Sequence, residues 1–402
     1  MNETREQKTL SARWVVPVDG PPLEWGQVHI EGEKITGISK ADTTLVDENL
    51  GEVIILPGLV NAHTHLDLTG FPQEKKDGGN FLDWIDSVIA HRISTTPAQM
   101  QAHIQKGIDQ SLRAGVCLVG DISSGGQSWD LLSRSNLGGV VYFELLGLKR
   151  DRAQLAIESF LGWIRKLDAH DYFSPGVSPH APYSVHVELL NFAIGLELPL
   201  QMHVAESTVE IELIDKRKGS FVDWLMARNV YEDSGMVSSV RNVLQLLDRN
   251  PHSVLVHGSY LDDFSGKKRQ LIYCPRTHDF FNASHHPLPQ MLSAGWRVAL
   301  GTDGLSSNPD LDVLDEARFV RARYPQISAK SILEMITIHG AGLLGMGRKN
   351  GSLSRGKYAN LSCFPINTKG PVDPVENLLL GNQSCSNVMI RGKWMEVKSF
   401  NG

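Results

Sequence analysis

The sequence predicts an α/β protein, a (β/α)8 barrel with a small composite β-sandwich domain formed by both chain ends. In the middle of the 402-residue chain, eight apolar strand-like runs alternate with amphipathic stretches of helix length. Eight such units over roughly 250–290 residues match the size of a (β/α)8 barrel. Both ends instead contain short strands and turns. We therefore expect residues 57–345 to form the barrel, and residues 1–56 and 346–402 to form the two parts of the sandwich.

The N-terminal segment shows its strand character most clearly between residues 28 and 38. This stretch alternates apolar and polar residues and is interrupted by Gly32 and Glu33, which is typical of a β-hairpin. Residues 351–364 and 388–397 have the same texture near the other end of the chain. We therefore expect the two ends to pair with each other beside the barrel.

The barrel strands are predicted from apolar runs, the first of which enters His63. Helices are expected between them, for example over residues 98–113, 151–168, 185–196 and 310–323. A doubly wound sheet is the structural alternative, but its Gly-x-Gly-x-x-Gly dinucleotide turn does not occur. The seven further strand runs are residues 116–121, 140–146, 176–180, 199–203, 253–257, 271–274 and 298–303.

Composition restricts the class of partner. The net charge of −6 argues against a nucleic acid or an anionic membrane surface, both of which favour a basic face. No apolar run approaches the ~18–20 residues that span a bilayer, and the polar N-terminus lacks a secretory core. The four cysteines contain no Cys-x-x-Cys pair, so buried free thiols are expected rather than a zinc knuckle or disulfides. A cytoplasmic protein with a small-molecule partner is predicted, and a homodimer is the working expectation.

His63 and His65 form the first candidate site. They follow Pro57 and Gly58 in an extended segment, where residues i and i+2 point to the same side. Two imidazoles on one side of a strand can bind one metal ion through neutral ring nitrogens. A pair of partly buried histidines at a strand end is the alternative for an isolated His-x-His.

Other predicted strands also end in titratable side chains. In a (β/α)8 barrel the carboxyl ends of the strands surround one active-site mouth. Unpaired polar groups at that rim cost desolvation energy. Three histidines and a carboxylate match a catalytic metal centre that keeps a coordination position for water. The residues at these further strand ends are His180, His203, His257 and Asp303.

These motifs resemble the amidohydrolase superfamily, in the branch of aromatic-heterocycle deaminases and chlorohydrolases. The resemblance covers essentially the whole chain, and the first five motifs, in this order and each at a strand end, are specific together. The motifs are Pro57-Gly-Leu-Val-Asn-Ala-His63-Thr-His65, Ser178-Pro-His180-Ala-Pro-Tyr183, His203-Val-Ala-Glu206-Ser, His257-Gly258, Gly301-Thr-Asp303-Gly and Gly351-Ser-Leu-Ser-Arg-Gly-Lys-Tyr-Ala-Asn360-Leu.

The resemblance implies a set of ligands for one divalent ion, zinc in the first place with ferrous iron as the alternative. These ligands are His63, His65, His203 and Asp303. The ion would lower the pKa of its water and generate a hydroxide nucleophile, and Asp303 would also accept the proton of that water. No lysine ends the 176–180 strand, where binuclear relatives carry a carboxylated bridge, so one metal is expected. A core histidine is the alternative for His203.

Three further roles follow from the resemblance. Glu206 would protonate a ring nitrogen and then pass a proton to the departing ammonia; alternatively it begins the next helix, where the macrodipole favours acids. His257 would orient the attacking water, or else act as a fifth ligand. His180 would contact substrate, or else hold a loop.

The chain departs from its relatives on the seventh barrel strand, where many carry a Ser-Asn-x-x-Leu segment. Here Arg276 and His278 could bind an anionic or hydroxylated part of the substrate, with Phe280 and Phe281 as a stacking wall. An ion pair between Arg276 and Asp279 is the alternative. Two smaller departures are Gly304, where relatives often have serine, and Asn360, where they often have aspartate.

Phe81 and Trp84 follow the first barrel strand. They could reach over the mouth as a lid, or lie buried on one face of an amphipathic helix.

The predicted function is hydrolytic deamination of an aminated nitrogen heterocycle, a nucleobase or nucleoside-like compound. A chlorohydrolase or cyclic-amide hydrolase is the alternative on the same scaffold, since hydroxide addition serves several leaving groups. A non-catalytic assembly protein is the alternative from another class, although such a chain would be expected to lose metal ligands.

Overall fold

The computed structural model describes residues 6–40, 46–72, 79–282, 285–366 and 373–396. Within them the chain forms two separate sheets. The strands are β1 (Gln7–Val15), β2 (Leu23–Glu31), β3 (Lys34–Lys40), β4 (Glu48–Asn49), β5 (Val53–Pro57), β6 (Leu59–Thr64), β7 (Val116–Ser124), β8 (Gly138–Leu145), β9 (Phe173–Pro179), β10 (Leu200–Val204), β11 (Ser253–His257), β12 (Gln270–Tyr273), β13 (Arg297–Leu300), β14 (Leu361–Pro365), β15 (Asn387–Ile390) and β16 (Lys393–Trp394).

Helices occupy most of the connections between the barrel strands. Two short 3-10 helices, Leu66–Gly70 and Asp233–Gly235, accompany them. The α-helices are α1 (Phe81–Ser94), α2 (Pro97–Arg113), α3 (Trp129–Arg134), α4 (Arg150–Ile164), α5 (Val187–Gly195), α6 (Thr208–Lys216), α7 (Ser220–Ala227), α8 (Val240–Leu247), α9 (Pro275–Phe280), α10 (Leu288–Ser293), α11 (Val313–Arg323), α12 (Ala329–Met335), α13 (Ile338–Leu343) and α14 (Pro374–Leu380).

The sheet of parallel strands confirms the predicted barrel. Strands β6 to β13 lie next to one another in chain order and pair in parallel. A parallel bridge between Thr64 and Asp303 brings the first strand to the end of the last. Helices on the outside cover strands that are buried along their length, which is why these strands are continuous apolar runs rather than alternating ones.

The second sheet is built from both chain ends, as predicted. Its order is β16-β15-β14-β5-β1-β2-β3, with β4 paired to β1. The predicted hairpin is confirmed, with Gly32 and Glu33 between β2 and β3. The chain passes from this sheet to the barrel between Pro57 and Leu59. The division of the chain at residues 57 and 345 stays a prediction, and Val397, the predicted end of the last strand, lies outside the described residues.

The predicted helices are confirmed to within about four residues, and α2, α5 and α11 each begin at a capping side chain. Helix α2 begins with a capping box in which Thr96 and Gln99 bond each other's backbone N–H groups. No helix of the described residues is long and apolar enough to cross a membrane.

Helix α1 lies over the mouth of the barrel and combines the two expectations for its aromatic residues. Phe81 is buried and Trp84 half-buried, and both rings pack against Phe281, with centroids 5.4 and 5.1 Å away. The Trp84 indole N–H donates to the Ser306 carbonyl at 2.9 Å. Since Ser306 follows Asp303 closely in sequence, this bond attaches the helix to the rim of the predicted site.

Candidate metal centre and active site

Four predicted ligands converge at the carboxyl ends of the barrel strands. His63 and His65 lie at and just beyond the end of β6, His203 in β10 and Asp303 after β13. One ligand atom from each lies within 4.8 Å of the others, and all four residues are buried. We call these four residues the metal centre. The Nε2 atoms of His63 and His65 are 3.6 and 3.4 Å from Oδ1 of Asp303.

Hydrogen bonds orient two of the imidazoles. Gln201 donates its amide N–H to the Ala62 carbonyl at 2.9 Å, which turns its oxygen toward His63 Nδ1 at 2.8 Å. The Nδ1–H of His63 therefore donates, and Nε2 is left as the lone-pair atom. His203 donates from Nδ1 to the His180 carbonyl at 2.8 Å in the same way. Nε2 of His63 is buried without a hydrogen-bond partner, a cost that a bound cation would remove.

The ionisation states also suit a cation. Burial lowers the pKa of His65 to about 3, and burial together with neighbouring imidazoles lowers the pKa of His203 well below its ordinary value. Both rings are thus neutral, the form that binds metals. Burial alone would raise the pKa of Asp303, but the imidazoles of His63, His65 and His257 that face it lower the pKa below the ordinary range. Three imidazoles and one carboxylate fit a divalent metal ion.

At these strand ends the backbone either adopts a strained conformation or lies unusually close to a neighbouring strand. Asp303, His257 and Ala205 have φ of 58°, 67° and 55°, a left-handed region that costs free energy for residues other than glycine and is concentrated at functional sites. A Cβ on Gly301 would lie 2.7 Å from the His63 carbonyl oxygen. Only glycine allows the ends of β13 and β6 to approach this closely, which brings Asp303 to the histidines.

A second group of titratable residues adjoins the metal centre. Nε2 of His257 is 3.5 Å from Oε1 of Glu206, and both groups lie with Asp303 in a cluster whose ligand atoms are within 4.8 Å of one another. Neither of the two facing atoms has a hydrogen-bond partner. Helix α6 takes Ser207 as its N-cap, so Glu206 precedes the helix instead of stabilising its first turn.

The carboxyl group of Glu206 is suited to carry a proton. Burial raises its pKa well above the ordinary value, and the negative charges of Asp303 and Glu210 act in the same direction. Burial lowers the pKa of the neighbouring His257 to about 3. Burial thus shifts both groups toward their uncharged forms, the acid of Glu206 and the neutral imidazole of His257.

Two supporting residues escaped the sequence predictions. Glu210 accepts the backbone N–H groups of Ala205 and Glu206, both at 2.9 Å, and so holds the strained turn that carries Glu206. The spacing Ser207-x-x-Glu210, a capping-box pattern, could have drawn attention to it. His286 donates from Nε2 to the His257 carbonyl at 2.8 Å but lies in a loop, where the sequence has no comparable signal.

His180 connects the metal centre to a cavity. Its ring centroid lies 4.9 Å from that of His203, and its Nδ1 is 2.7 Å from the Ser184 hydroxyl. His180 and Tyr183 also line a cavity of about 500 Å³. We call this space the side cavity; its walls come from α1, the start of α4, the end of α7 and the residues that follow β8.

Arg276 has protein partners for its whole guanidinium group. Nε donates to Glu316 at 2.7 Å, and the two terminal nitrogens donate to Asp310 at 2.9 and 2.7 Å. The alternative pairing with Asp279 is wrong, because Asp279 lies instead 4.0 Å from Arg323. We call Arg276, Asp310 and Glu316 the arginine cluster. Its geometry gives Arg276 a structural role and does not support the expected substrate contact.

His278 and the two small departures are also accounted for by local contacts. His278 is buried, with Nδ1 3.0 Å from the Ser259 hydroxyl. A side chain on Gly304 would meet the Cβ of His65 at 3.2 Å, and the hydroxyl near Asp303 comes from Ser307 instead, 3.3 Å from Oδ2. Asn360 lies in the small sheet region, where its amide donates to Asn350 at 2.8 Å.

Comparison with known proteins places the chain in a family. Residues 54–395 match the model of the Amidohydrolase family. An adenosine deaminase from Helicobacter pylori is 30% identical over 333 residues, covering 79% of this chain and 80% of the relative. An aminodeoxyfutalosine deaminase from Deinococcus radiodurans is 29% identical over 348 residues, covering 80% and 81%.

A solved structure agrees with these sequence matches. The Helicobacter pylori aminofutalosine deaminase in complex with methylthio-coformycin superposes with a TM-score of 0.83 at 26% identity. The match covers 97% of this chain and 100% of that one. The fold, the ligand geometry and the matched length lead to one conclusion: the chain belongs to the Amidohydrolase family.

Proposed function

We propose that the protein is a metal-dependent deaminase that hydrolyses an amino group from an adenosine-like nucleoside. The observation that carries the proposal is the position of Glu206, a buried proton-carrying acid whose Oε1 faces His257 beside the metal centre. The names of the relatives support it, since the two matched curated proteins are an adenosine deaminase and an aminodeoxyfutalosine deaminase.

His63, His65, His203 and Asp303 would hold one divalent ion, and zinc is the ion we propose. Nitrogen ligands together with one carboxylate suit zinc, and ferrous iron is the alternative. Such an ion, when bound, lowers the pKa of water toward neutrality and so supplies a nucleophile. The unpartnered Nε2 of His63 supports this assignment.

The residues around the metal centre divide the proton transfers. Asp303, an ionised carboxylate, accepts a proton from the attacking water. His257, a neutral imidazole, orients that water by a hydrogen bond at Nε2. Glu206 donates its proton to the ring nitrogen next to the carbon under attack, takes up the proton of the newly added hydroxyl group, and passes that proton to the leaving amino group. The proton held by Asp303 returns to Glu206 before the next turnover. In sum, a carbon–nitrogen bond to the exocyclic amine breaks, a carbon–oxygen bond forms, and ammonia leaves.

The leaving group decides between the deaminase and the chlorohydrolase. The amino group must gain a proton before it can leave as ammonia, whereas chloride leaves as an anion without a proton. The raised pKa of Glu206 supplies a proton donor next to the reacting carbon, and this favours the amine. His180 is proposed to contact the substrate, because it faces both His203 and the side cavity.

The test measures product release by the protein loaded with one equivalent of zinc. We expect ammonia from adenosine or 5′-methylthioadenosine, and no chloride from a chlorotriazine or ring opening of dihydrouracil. Glu206→Gln serves as the matched control, since it preserves size but cannot donate the proton. Chloride release without ammonia release from any aminated purine, pyrimidine or pterin would contradict the proposal. Reconstitution with ferrous iron in parallel separates the two metals.

A further inference from the structure

A pair of histidines lies outside the metal centre, where helices α1 and α2 pack against each other. His91 is in the last turn of α1, and His103 is in the second turn of α2. Their ring centroids are 5.6 Å apart, and the two ring planes are inclined by 16°. Both residues are half-buried, so solvent and small ions can reach the pair.

Each ring of this pair has a buried nitrogen that is not hydrogen-bonded. Nε2 of His91 and Nδ1 of His103 have no partner among the residues that the structure describes. A buried nitrogen without a partner costs free energy. Nε2 of His63 in the metal centre shows the same pattern. The pair therefore shares the feature that supports a bound ion at the metal centre.

The backbone beside α2 fixes the ring of His103. Asp67 accepts a hydrogen bond from His103 through its backbone, and the donor is Nε2 because Nδ1 has no partner. This bond leaves the lone pair on Nδ1. Gly70 allows the approach, since a Cβ at this position would collide with the imidazole. Burial lowers the pKa of both His91 and His103, which favours the neutral form that binds metals.

The geometry of the pair fits two imidazoles that share one ion. With metal–nitrogen bonds of ~2 Å, the centroids of two such rings lie roughly 5–6 Å apart. In the metal centre, His65 and His203 are likewise 5.6 Å apart, with planes inclined by 24°. The adjacent cation Arg92 is neutralised by Glu144 and Asp67, at 2.8 and 3.1 Å. It therefore does not oppose a positive ion at the pair.

We propose that His91 and His103 bind a second metal ion, a first-row transition ion such as Zn²⁺, with water as its remaining ligands. Imidazole nitrogen suits zinc, copper and nickel, whereas Mg²⁺ prefers oxygen ligands. The ion joins α1 to α2 and, through the bond of His103 to Asp67, to the segment that follows the first barrel strand. Since α1 lies over the mouth of the barrel, the ion holds this helix in place. The site depends on neither the metal centre nor the proposed reaction.

The experiment counts the metal ions that the protein binds. Protein loaded with one equivalent of zinc is dialysed against increasing Zn²⁺ or, as the oxygen-preferring control ion, Mg²⁺, and bound metal is measured by elemental analysis. We expect a second equivalent of zinc. His91→Gln and His103→Gln should each weaken it by roughly 10²-fold or more, because two linked ligands exceed one by about 10²–10⁴. His252→Gln removes an exposed imidazole and is the matched control, which should change nothing.

Hydrogen exchange locates the second ion in the wild-type protein. Binding of the second equivalent should slow amide exchange in α1 and α2, because the ion opposes local opening of both helices. Exchange in α8, which packs on α5 and α6, should not change. Both histidine variants should lose the effect while their circular dichroism remains that of the wild type.

Failure of this inference and failure of the proposed function give different results. A wild type that binds only one equivalent of zinc overturns the inference, as does a second equivalent that survives in either histidine variant or is matched by Mg²⁺. Asp303→Asn should weaken the first equivalent and retain the second. Two equivalents with the expected losses, but no ammonia from any aminated heterocycle, would support the second site and contradict only the proposed reaction.

Discussion

Two clusters of charged side chains lie at the same end of the barrel, the metal centre and the arginine cluster, and they differ in how their polar atoms are satisfied. In the arginine cluster every guanidinium nitrogen of Arg276 has a protein acceptor. In and beside the metal centre, Nε2 of His63 and Oε1 of Glu206 are buried without a hydrogen-bond partner. Because a buried polar atom without a partner costs free energy, the second pattern marks a place for a ligand and the first marks a scaffold.

The two clusters are also connected. Glu316 of the arginine cluster accepts a hydrogen bond from Asn308 at 2.6 Å, and Asn308 also donates to the Thr302 carbonyl at 2.6 Å. Thr302 directly precedes Asp303. The arginine cluster therefore holds the loop that carries Asp303, a proposed ligand of the metal centre, and substitutions in the two clusters should have different consequences.

Asp303→Asn should have the largest effect. It removes both the anionic ligand and the proton acceptor, so kcat/KM for ammonia release should fall by more than about 10³-fold, beyond the roughly 10²–10³ that loss of one electrostatic stabiliser costs. Elemental analysis should show less bound metal, while circular dichroism stays unchanged. Turnover near the wild-type value would remove Asp303 from the mechanism.

Asp310→Asn is the matched control in the arginine cluster. It makes the same chemical change at the same end of the barrel but touches only a scaffold carboxylate. We expect normal metal content and a smaller loss of activity than in Asp303→Asn. Equal losses of activity in the two variants would show that the presence or absence of hydrogen-bond partners does not distinguish the functional cluster from the structural one.

Arg276→Gln should act on stability. Breaking a buried ion pair by removing one partner costs roughly 3–5 kcal/mol, and we expect about 3 kcal/mol here because the guanidinium is not completely buried. Urea denaturation measures the change, with Arg323→Gln as the control: its long, exposed contact to Asp279 should contribute less than about 1 kcal/mol. A stable Arg276→Gln variant that binds substrate poorly would restore the substrate contact expected from the sequence.

Glu206→Gln should affect catalysis alone. Loss of a general acid typically costs 10²–10⁴-fold, so we expect kcat to fall by roughly 10²-fold or more with little change in KM. Steady-state kinetics with adenosine measures the split. A change in KM with kcat intact would assign Glu206 to substrate binding and leave the leaving group without its proton donor.

The sequence was sufficient to predict the fold and the strand-end residues, since both depend on local patterns. His63 and His65 stand out because the alternation of a strand places them on one side, and apolar runs that end in His203 or Asp303 mark further strand ends. The structural role of Arg276 and its ion-pair partners could not be predicted in this way. Its partners Asp310 and Glu316 lie on the far side of β13 in sequence, and their approach depends on how the loop after Asp303 folds back.

His286 illustrates the same limit. Its hydrogen bond to the His257 carbonyl and its stacking on Tyr273, with centroids 3.8 Å apart, join residues from a loop and two strands. No residue spacing in the sequence predicts such a contact. The side cavity is a comparable case, because Lys149 and Trp224 become neighbours only when α4 and α7 pack beside α1.

Asp121 offers a third kind of buried titratable group, with the smallest expected effect. It is completely buried and has only uncharged partners, the backbone N–H of Leu66 at 3.0 Å and the hydroxyl of Ser128 at 2.5 Å. Burial raises its pKa to about 8. The folded protein therefore keeps a proton that the unfolded chain loses near pH 4, and the free energy of unfolding should fall as the pH rises from about 4 to about 8.

Asp121→Asn retains a neutral side chain that can accept from Leu66 and donate to Ser128, so it should remove this dependence. The variant should be more stable than the wild type at pH 8 by at least about 1 kcal/mol, because one unit of pKa shift corresponds to ~1.4 kcal/mol. At pH 4 the two should be nearly equal. Urea denaturation across this range measures the slope, with the exposed Asp130→Asn as control. A difference in stability between the wild type and Asp121→Asn that does not grow with pH would show that Asp121 is ionised in the fold, and that uncharged donors alone can satisfy a buried carboxylate at this rim.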